Sequence, residues 1–202
     1  MMNNKILLLS GDGVGPEIMS EAVKLLDYLI DNKVVDIAYD FADIGGIAID
    51  NHGDPFPEPT FEKAKSSRAI LLGAVGSKKH DKNENKMKPE SGLLALRKKL
   101  DLYINLRPIF IFQNLIDKSS LKEDVVKDID LVIVRELVSD IYFGEPRGFD
   151  KGNKSAFNTM RYTEAEVRRI TEYAIKLSKK RNGRITSVDK ANVLETSQLW
   201  RR

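Results

Sequence analysis

The sequence contains no cysteine, so a disulfide framework, a thiolate metal site and a cysteine nucleophile are all excluded. Its only histidines are His52 and His80, and this excludes a histidine-rich metal centre. No apolar run approaches the length that spans a membrane, and the first residues lack a secretory pattern. We therefore expect a cytoplasmic protein with no membrane partner.

A strong charge of one sign is also lacking. The 202 residues carry 33 basic and 30 acidic side chains, and the net charge of +3 is too slight and too dispersed to indicate nucleic-acid binding. Hydrophobic residues make up 42% and charged residues 31%, which is ordinary for a soluble globular protein. The length allows one large domain or two small ones.

Short apolar runs alternate with amphipathic helical patterns along the chain, which predicts an α/β protein with a mostly parallel or mixed sheet. The runs that we predict as strands are Lys5–Leu9, Val34–Phe41, Ala69–Leu72, Ile109–Phe112, Leu131–Val134 and Ile185–Val188.

A glycine-rich segment, GDGVGPE at 11–17, follows the first run directly. Pro16 suits the first turn of a helix, and Glu17 complements the positive end of the helix dipole. Bare backbone N–H groups at such a helix start would suit an anion or a cofactor. However, the spacing is not that of G-x-G-x-x-G, and a tight turn between strand and helix explains the glycines equally well.

The stretch 91–108 holds two arginines in dissimilar elements. Arg97 lies within an amphipathic helical pattern, whereas Pro108 disfavours helical geometry at Arg107 and so predicts an extended segment there. Arginine is suited to fixed, bidentate capture of carboxylate or phosphate. The alternative is a pair of surface arginines in exposed ion pairs, which stabilise little.

Other chemically useful side chains follow predicted elements. Arg135 follows the run 131–134, which we expect to be a buried strand, and ligands bind at the carboxyl ends of strands in open α/β sheets. Lys190 follows the last predicted strand in the same way. Tyr142 lies in a strand-like segment, residues 148–161 read as an extended arm or long loop, and His80 reads as a residue of a polar loop. Thr163 with Glu166 predicts a capping box.

Five motifs, in order and over essentially the whole chain, resemble the isocitrate/isopropylmalate family of β-decarboxylating dehydrogenases. They are GDGVGPE at 11–17, LLALR at 93–97, NLRP at 105–108, REL with IYFG at 135–144, and TSVDKANVLETSQLWR at 186–201. The resemblance implies a two-domain α/β/α sandwich of the isopropylmalate dehydrogenase type, not a G-x-G-x-x-G Rossmann domain. It implies a first domain at 1–98 and a second, substrate and dimerisation domain at 99–202, both incomplete.

The activity that the resemblance implies is NAD-dependent oxidative decarboxylation of 3-isopropylmalate to 4-methyl-2-oxopentanoate and CO2, in leucine biosynthesis. It implies that Lys190 is the base, reaching in from the other subunit of a homodimer, and that Tyr142 is the proton donor. Mg²⁺ or Mn²⁺ would polarise the substrate hydroxyl. The implied substrate-binding residues are Arg97, Arg107, Arg135, Glu90, Leu93 and Leu94, the last three shaping the isopropyl pocket. The implied cofactor-side residues are Gly76, Lys79, Asp81 and Asn192.

The sequence also departs from the family's pattern. Lys78 and His80 stand where a proline and a tryptophan are usual, and Ser139 with Asp140 stand where two glycines are usual. A glycine there can hold a positive φ, which serine and aspartate tolerate less well. Family members continue beyond the LWR motif with metal-binding aspartates and an adenosine-binding loop, so we expect a fragment without metal ligands that is inactive alone. A sister enzyme acting on tartrate or isocitrate, and a non-catalytic truncated remnant, are the alternatives.

Overall fold

The computed structural model describes residues 4–202. Its contacts divide the chain into two compact units, of which one ends at Leu100 and the other begins at Asp101.

The first unit is a parallel three-stranded sheet covered by helices, with strand order β2-β1-β3. The strands are β1 at Lys5–Gly11, β2 at Ala38–Phe41 and β3 at Ala69–Ala74. The helices are α1 at Gly15–Asp31, α2 at Gly46–His52, α3 at Glu58–Ser66 and α4 at Pro89–Lys99.

Strand β1 lies at the centre of this unit. Leu7, Leu8 and Leu9 are completely buried, because successive side chains point to opposite faces and both faces are covered. Leu7 and Leu9 pack with Ala64 of α3 and Leu96 of α4, and with Ile44 and Phe56 from the connecting segments. Helix α1 packs on the same strand and on β3. This layering confirms the predicted α/β class.

The second unit is built on one antiparallel pair, β4 at Ile104–Phe110 with β5 at Asp130–Glu136. The short strands β6 at Gly148–Phe149 and β7 at Ala156–Phe157 form a separate hairpin within the predicted arm. The helices are α5 at Glu123–Val126, α6 at Glu164–Lys179 and α7 at Glu195–Arg201. Helix α6 packs against β5 and also against α7.

Some of the predicted elements differ from the observed ones. The run 131–134 is a strand, and it pairs antiparallel with β4. Leu131 and Ile133 are exposed, so the prediction of a buried strand was wrong. The strand predicted at 185–188 is also wrong: no strand of the described chain includes these residues, and Val188 is 95% exposed. Short β-branched runs do not by themselves distinguish a strand from an exposed extended segment.

The prediction of a capping box from Thr163 and Glu166 was correct. The capping box is present, since Thr163 Oγ1 accepts the Glu166 N–H and Glu166 Oε2 accepts the Thr163 N–H at 2.7 Å. Helix α6 begins at the next residue, as the pattern predicts. Within residues 4–202, no helix combines the length and the apolar character needed to span a bilayer.

Candidate active site

The glycine-rich turn after β1 is organised around the carboxylate of Asp12. Asp12 Oδ2 accepts the N–H groups of Gly46 at 2.8 Å and Gly76 at 3.0 Å, and Oδ1 accepts the N–H of Ile47 at 2.8 Å. The carboxylate is buried and joins the start of α2 to Gly76, two residues after the end of β3. The sequence analysis did not single out Asp12, although its place between two glycines was the available signal.

The glycines beside Asp12 serve close packing. A Cβ on Gly11 would lie 1.9 Å from Ala74 O, and one on Gly15 would lie 2.1 Å from Ser10 O. Of the two explanations for this turn, the structure therefore favours the tight connection between strand and helix.

Gly76 and Glu90, a predicted cofactor-side residue and a predicted pocket residue, lie close together in the first unit. Gly76 has φ +145°, and a Cβ placed on it would have Glu90 Oε1 at 3.5 Å. Glu90 lies in the first turn of α4, directly after the buried Pro89. Lys79 forms an ion pair with Asp50 at 2.6 Å, and this contact lowers the pKa of Asp50. Asp81 is exposed at the end of the same 3-10 turn.

Helix α4 carries the other predicted residues of this unit. Leu93 is half-buried and packs against the hydrophobic core, so it contributes to the stability of the fold. Leu94 is half-buried as well, and Arg97 lies in the last turn of the helix.

In the second unit, Arg107 and Arg135 lie on one face of the β4–β5 pair. Arg135 is directly opposite Asn105, and Arg107 is opposite Ile133. The two arginines are therefore diagonal neighbours, for which Cα atoms are typically about 7–8 Å apart. Arg107 Nε donates to Asn105 Oδ1 at 2.9 Å, which orients its guanidinium along this face.

Tyr142 completes a cluster with these arginines. It ends a 3-10 turn at Asp140–Tyr142 instead of lying in the strand-like segment that we expected, and its ring centroid is 5.5 Å from Arg135 Cζ. We call Arg107, Arg135 and Tyr142 the arginine–tyrosine group.

A buried glutamate shapes the turn that leads to Tyr142. Glu136 Oε2 accepts the N–H groups of Ser139 at 2.9 Å and Val138 at 3.1 Å. Burial raises the pKa of Glu136, and the hydrogen bonds from Ser139 and Val138 and the nearby charge of Arg169 partly offset this. The sequence places Glu136 beside Arg135 at the end of the predicted strand, but it gave no indication of this role in the turn.

The two departures in this turn have different outcomes. Asp140 has φ +72°, so an aspartate occupies left-handed backbone that glycine adopts without steric cost. Ser139 is extended, with φ −119° and ψ −152°, and its backbone requires no glycine. Of these two positions, only Asp140 therefore has the positive φ that a glycine would adopt without strain.

Lys190 and Asn192 lie in a turn before α7, so the prediction of Lys190 at the end of a strand was wrong. Asp189 holds this turn by accepting Arg201 Nε and the Ala191 N–H, each at 2.9 Å. The Lys190 N–H donates to Ser197 Oγ at 3.1 Å, and both predicted side chains are exposed. Across the described part of the second unit, no hydrogen bond, ion pair or ring contact joins them to the arginine–tyrosine group.

The residues present do not form a divalent-cation site by themselves. Throughout residues 4–202, no three His, Cys, Asp or Glu side chains are grouped so that they could hold a metal ion. The backbone at the glycine-rich turn leaves open space on one side. Gly13 and Gly76 both have positive φ, and a Cβ on Gly13 would meet no atom closer than Gly76 O at 4.0 Å, so a cofactor could approach this backbone.

Residues 5–202 match a family model described as isocitrate/isopropylmalate dehydrogenase. The chain belongs to this family. Relatives within the isocitrate/isopropylmalate dehydrogenase family include a 3-isopropylmalate dehydrogenase of Prochlorococcus marinus, 52% identical, and one of Aquifex aeolicus, 51% identical. Each match covers 100% of this chain and 56% of the relative, so the chain spans little more than half the length of these curated relatives.

Two solved structures have the same fold as this chain. An isocitrate dehydrogenase from Methylococcus capsulatus superposes with a TM-score of 0.74 at 29% identity, over 98% of this chain and 54% of that one. A Thermus thermophilus protein superposes with a TM-score of 0.78 at 24% identity, over 98% of this chain and 37% of that one, and supports the fold alone. These matches confirm the predicted family and its α/β fold.

Proposed function

We propose that this chain is part of an enzyme of leucine biosynthesis, one that carries out NAD-dependent oxidative decarboxylation of 3-isopropylmalate to 4-methyl-2-oxopentanoate and CO2. The observation that carries the proposal is the arginine–tyrosine group, in which Arg107 and Arg135 share one face of the β4–β5 pair and the Tyr142 ring lies beside Arg135. Identity of 52% to a 3-isopropylmalate dehydrogenase supports this substrate over isocitrate or tartrate.

The substrate is a dicarboxylate, and the arginines are its natural partners. Arg107 and Arg135 would bind carboxylate oxygens through paired N–H donors, with Arg97 as the third cation. Asn105 holds Arg107 Nε, so less side-chain freedom is lost when the substrate binds. Glu90, Leu93 and Leu94 would contact the isopropyl group, and Leu93 is already positioned by its packing against the core.

The chemical steps need one base and one acid. Lys190 of a partner subunit would take the proton from the substrate hydroxyl, and the alcohol carbon would then lose hydride to become a ketone. Loss of CO2 leaves its bonding electron pair as an enolate, and Tyr142 would protonate that carbon to give the 2-oxo acid. NAD, when bound near Gly76, Lys79, Asp81 and Asn192, would accept the hydride.

Assembly and location are also part of the proposal. The role of Lys190 requires a homodimer, and we propose a cytoplasmic enzyme that handles a small-molecule substrate. Mg²⁺ or Mn²⁺ is the cation that the family resemblance implies, although the described residues group no set of ligands for it.

The test joins this chain to the carboxyl-terminal segment of the Aquifex aeolicus relative and follows NAD reduction with 3-isopropylmalate, isocitrate or tartrate. We expect turnover with 3-isopropylmalate at least tenfold above the other two, and none from the chain alone. Arg135→Lys should raise KM for 3-isopropylmalate about tenfold or more, because an ammonium cannot make the bidentate contact. Tyr142→Phe should lower kcat instead.

Arg184→Lys is the matched control, since Arg184 is an exposed arginine of the same unit outside the arginine–tyrosine group. This variant should retain the kcat and KM of the parent chimera. A faster reaction with isocitrate or tartrate would replace the proposed substrate with that of a sister enzyme. Equal effects of Arg135→Lys and Arg184→Lys would refute the role of the arginine–tyrosine group.

A further inference from the structure

His80 belongs to the polar loop that the sequence predicts, but its side chain is buried. Its side chain is only 8% exposed and lies in a 3-10 turn at Lys78–His80. The imidazole packs on the start of α2, where a Cβ on Gly46 would lie 3.1 Å from His80 Cδ2. A buried imidazole in this position must have a defined protonation state, because each ring nitrogen faces a different group.

The side-chain amide of Asn83 determines which ring nitrogen of His80 carries the proton. Asn83 Nδ2 lies 3.0 Å from Met87 O and 3.1 Å from His80 Nδ1. A carbonyl oxygen only accepts, so the contact with Met87 fixes Nδ2 as the donor of the Asn83 amide. His80 Nδ1 must then accept from Nδ2, and the single proton of the neutral ring is on Nε2.

A second proton would have to enter at Nδ1, where a donor already points. The protonated ring therefore loses its hydrogen bond from Asn83 and brings two N–H donors together. Rotating the amide would place Oδ1 beside Nδ1–H, but it would also direct Oδ1 at Met87 O and break that hydrogen bond. In either arrangement, protonation removes a link between His80 and Met87.

The charges around the ring have both signs. Asp50 Oδ1 lies 3.3 Å from His80 Nε2 and favours a positive ring, whereas Lys79 contacts the same oxygen at 2.6 Å and reduces that effect. The carboxylate of Asp12 lies beside Gly46, on which the ring packs.

The segment tied by Asn83 leads directly into helix α4. Met87 N–H donates to Glu84 O at 2.8 Å, and Lys88 is the N-cap of α4. Ser91 Oγ then donates to Lys86 O at 2.8 Å and to Lys88 O at 2.6 Å. An altered path at 83–88 therefore changes the start of the helix that carries Glu90.

We propose that neutral His80 is a positioning residue. Through its hydrogen bond with Asn83 it holds residues 83–88 against the rest of the first unit, and protonation of the ring releases this segment. The proposal holds whether or not the enzymatic reaction above is correct, because it concerns only contacts within this unit.

The test is an NMR titration of the isotopically labelled chain from pH 8 to pH 5. The Cε1–H shifts of His80 and His52 give the two titration midpoints, and amide hydrogen exchange gives protection factors corrected for intrinsic rates. We expect the protection of the Met87 and Ser91 amides to fall at least tenfold below the His80 midpoint. The Ile49 amide, which donates to Gly45 O within α2, should keep its protection.

Two variants complete the test. His80→Asn places an amide oxygen near the Nδ1 position and removes the titration, so protection at Met87 should no longer depend on pH. His52→Asn is the matched control, because His52 is exposed and faces Asp43 at 3.1 Å, and it should leave the response unchanged. If His80→Asn does not fold, coincidence of the wild-type response with the His80 midpoint decides the question. Constant protection, a response that follows His52, or a His80 ring that stays neutral to pH 5 would overturn the proposal.

Discussion

Replacing Asp140 by glycine should stabilise this protein. Asp140 has φ +72°, in the left-handed region where an L residue with a Cβ pays about 1–2 kcal/mol. Aspartate often reduces that cost with a local hydrogen bond, but Asp140 Oδ1 is buried and has no hydrogen-bond partner among the described residues. The backbone is nevertheless held in place, since Asp140 O accepts the Gly144 N–H at 2.9 Å and Asp140 N–H donates to Arg161 O at 3.2 Å.

The expected gain follows from two opposing terms. Relief of the left-handed strain stabilises Asp140→Gly by about 1–2 kcal/mol, and the extra freedom of glycine in the unfolded chain costs about 0.4–1 kcal/mol. We expect a net gain of about 1 kcal/mol, which corresponds to a rise in Tm of about 2–4 °C for a chain of this length. Urea unfolding followed by circular dichroism, with calorimetry for Tm, measures both quantities.

Asp140→Ala separates the backbone effect from the loss of the carboxylate. Alanine removes the same unpaired oxygen atoms but keeps a Cβ at positive φ, so Asp140→Gly should exceed it in stability by about 1 kcal/mol. If the alanine variant is as stable as the glycine variant, or more stable, then the left-handed backbone is not the source of the strain and the reasoning fails.

Two further predictions concern carboxylates of the first unit. Asp12→Ala should lower the free energy of unfolding by about 3 kcal/mol in urea titrations, because it leaves the buried N–H of Gly46 and the partly buried N–H groups of Ile47 and Gly76 without an acceptor. The control Asp54→Ala removes only one bond, to Phe56 N, and a similar loss in both variants would contradict the role of Asp12. Lys5 and Lys63 hold the pKa of Asp40 down to about 2, so its stabilisation is present above the unfolded pKa of about 3.9 and is lost as the pH falls towards 2. Asp40→Asn should therefore flatten the acid-side fall of Tm between about pH 4 and pH 2, and parallel curves for the two proteins would show that the ion pairs do not contribute.

Local sequence signals predicted the elements that depend on local interactions. The Thr163–Glu166 capping box needs only residues three positions apart, and it forms at the start of α6. The apolar run in β1 needs burial on both faces, and helices on the sheet supply it. Arg107 is extended because Pro108 restricts the preceding backbone, whatever strand it pairs with.

Strand pairing was harder to predict from the sequence, because it depends on partners far away along the chain. Leu131 and Ile133 belong to an apolar run that is equally compatible with a parallel strand buried on both faces. The structure pairs this run with β4 in antiparallel register and exposes both side chains. The sequence nonetheless supplied the arginines, and the register of one antiparallel pair brings Arg107 and Arg135 to the same face.

Sequence reasoning missed Asp12 because the partners of its carboxylate come from other elements. Asp12 binds N–H groups 34 and 64 positions away, so no local pattern distinguishes it from a surface aspartate in a turn. Its carboxylate already occupies the N–H groups at the start of α2 that would otherwise attract an anion. The glycine-rich turn therefore has a structural role here, which agrees with the absence of the dinucleotide fingerprint. The same carboxylate holds Gly76, so it links this turn to the loop in which we propose that the cofactor binds.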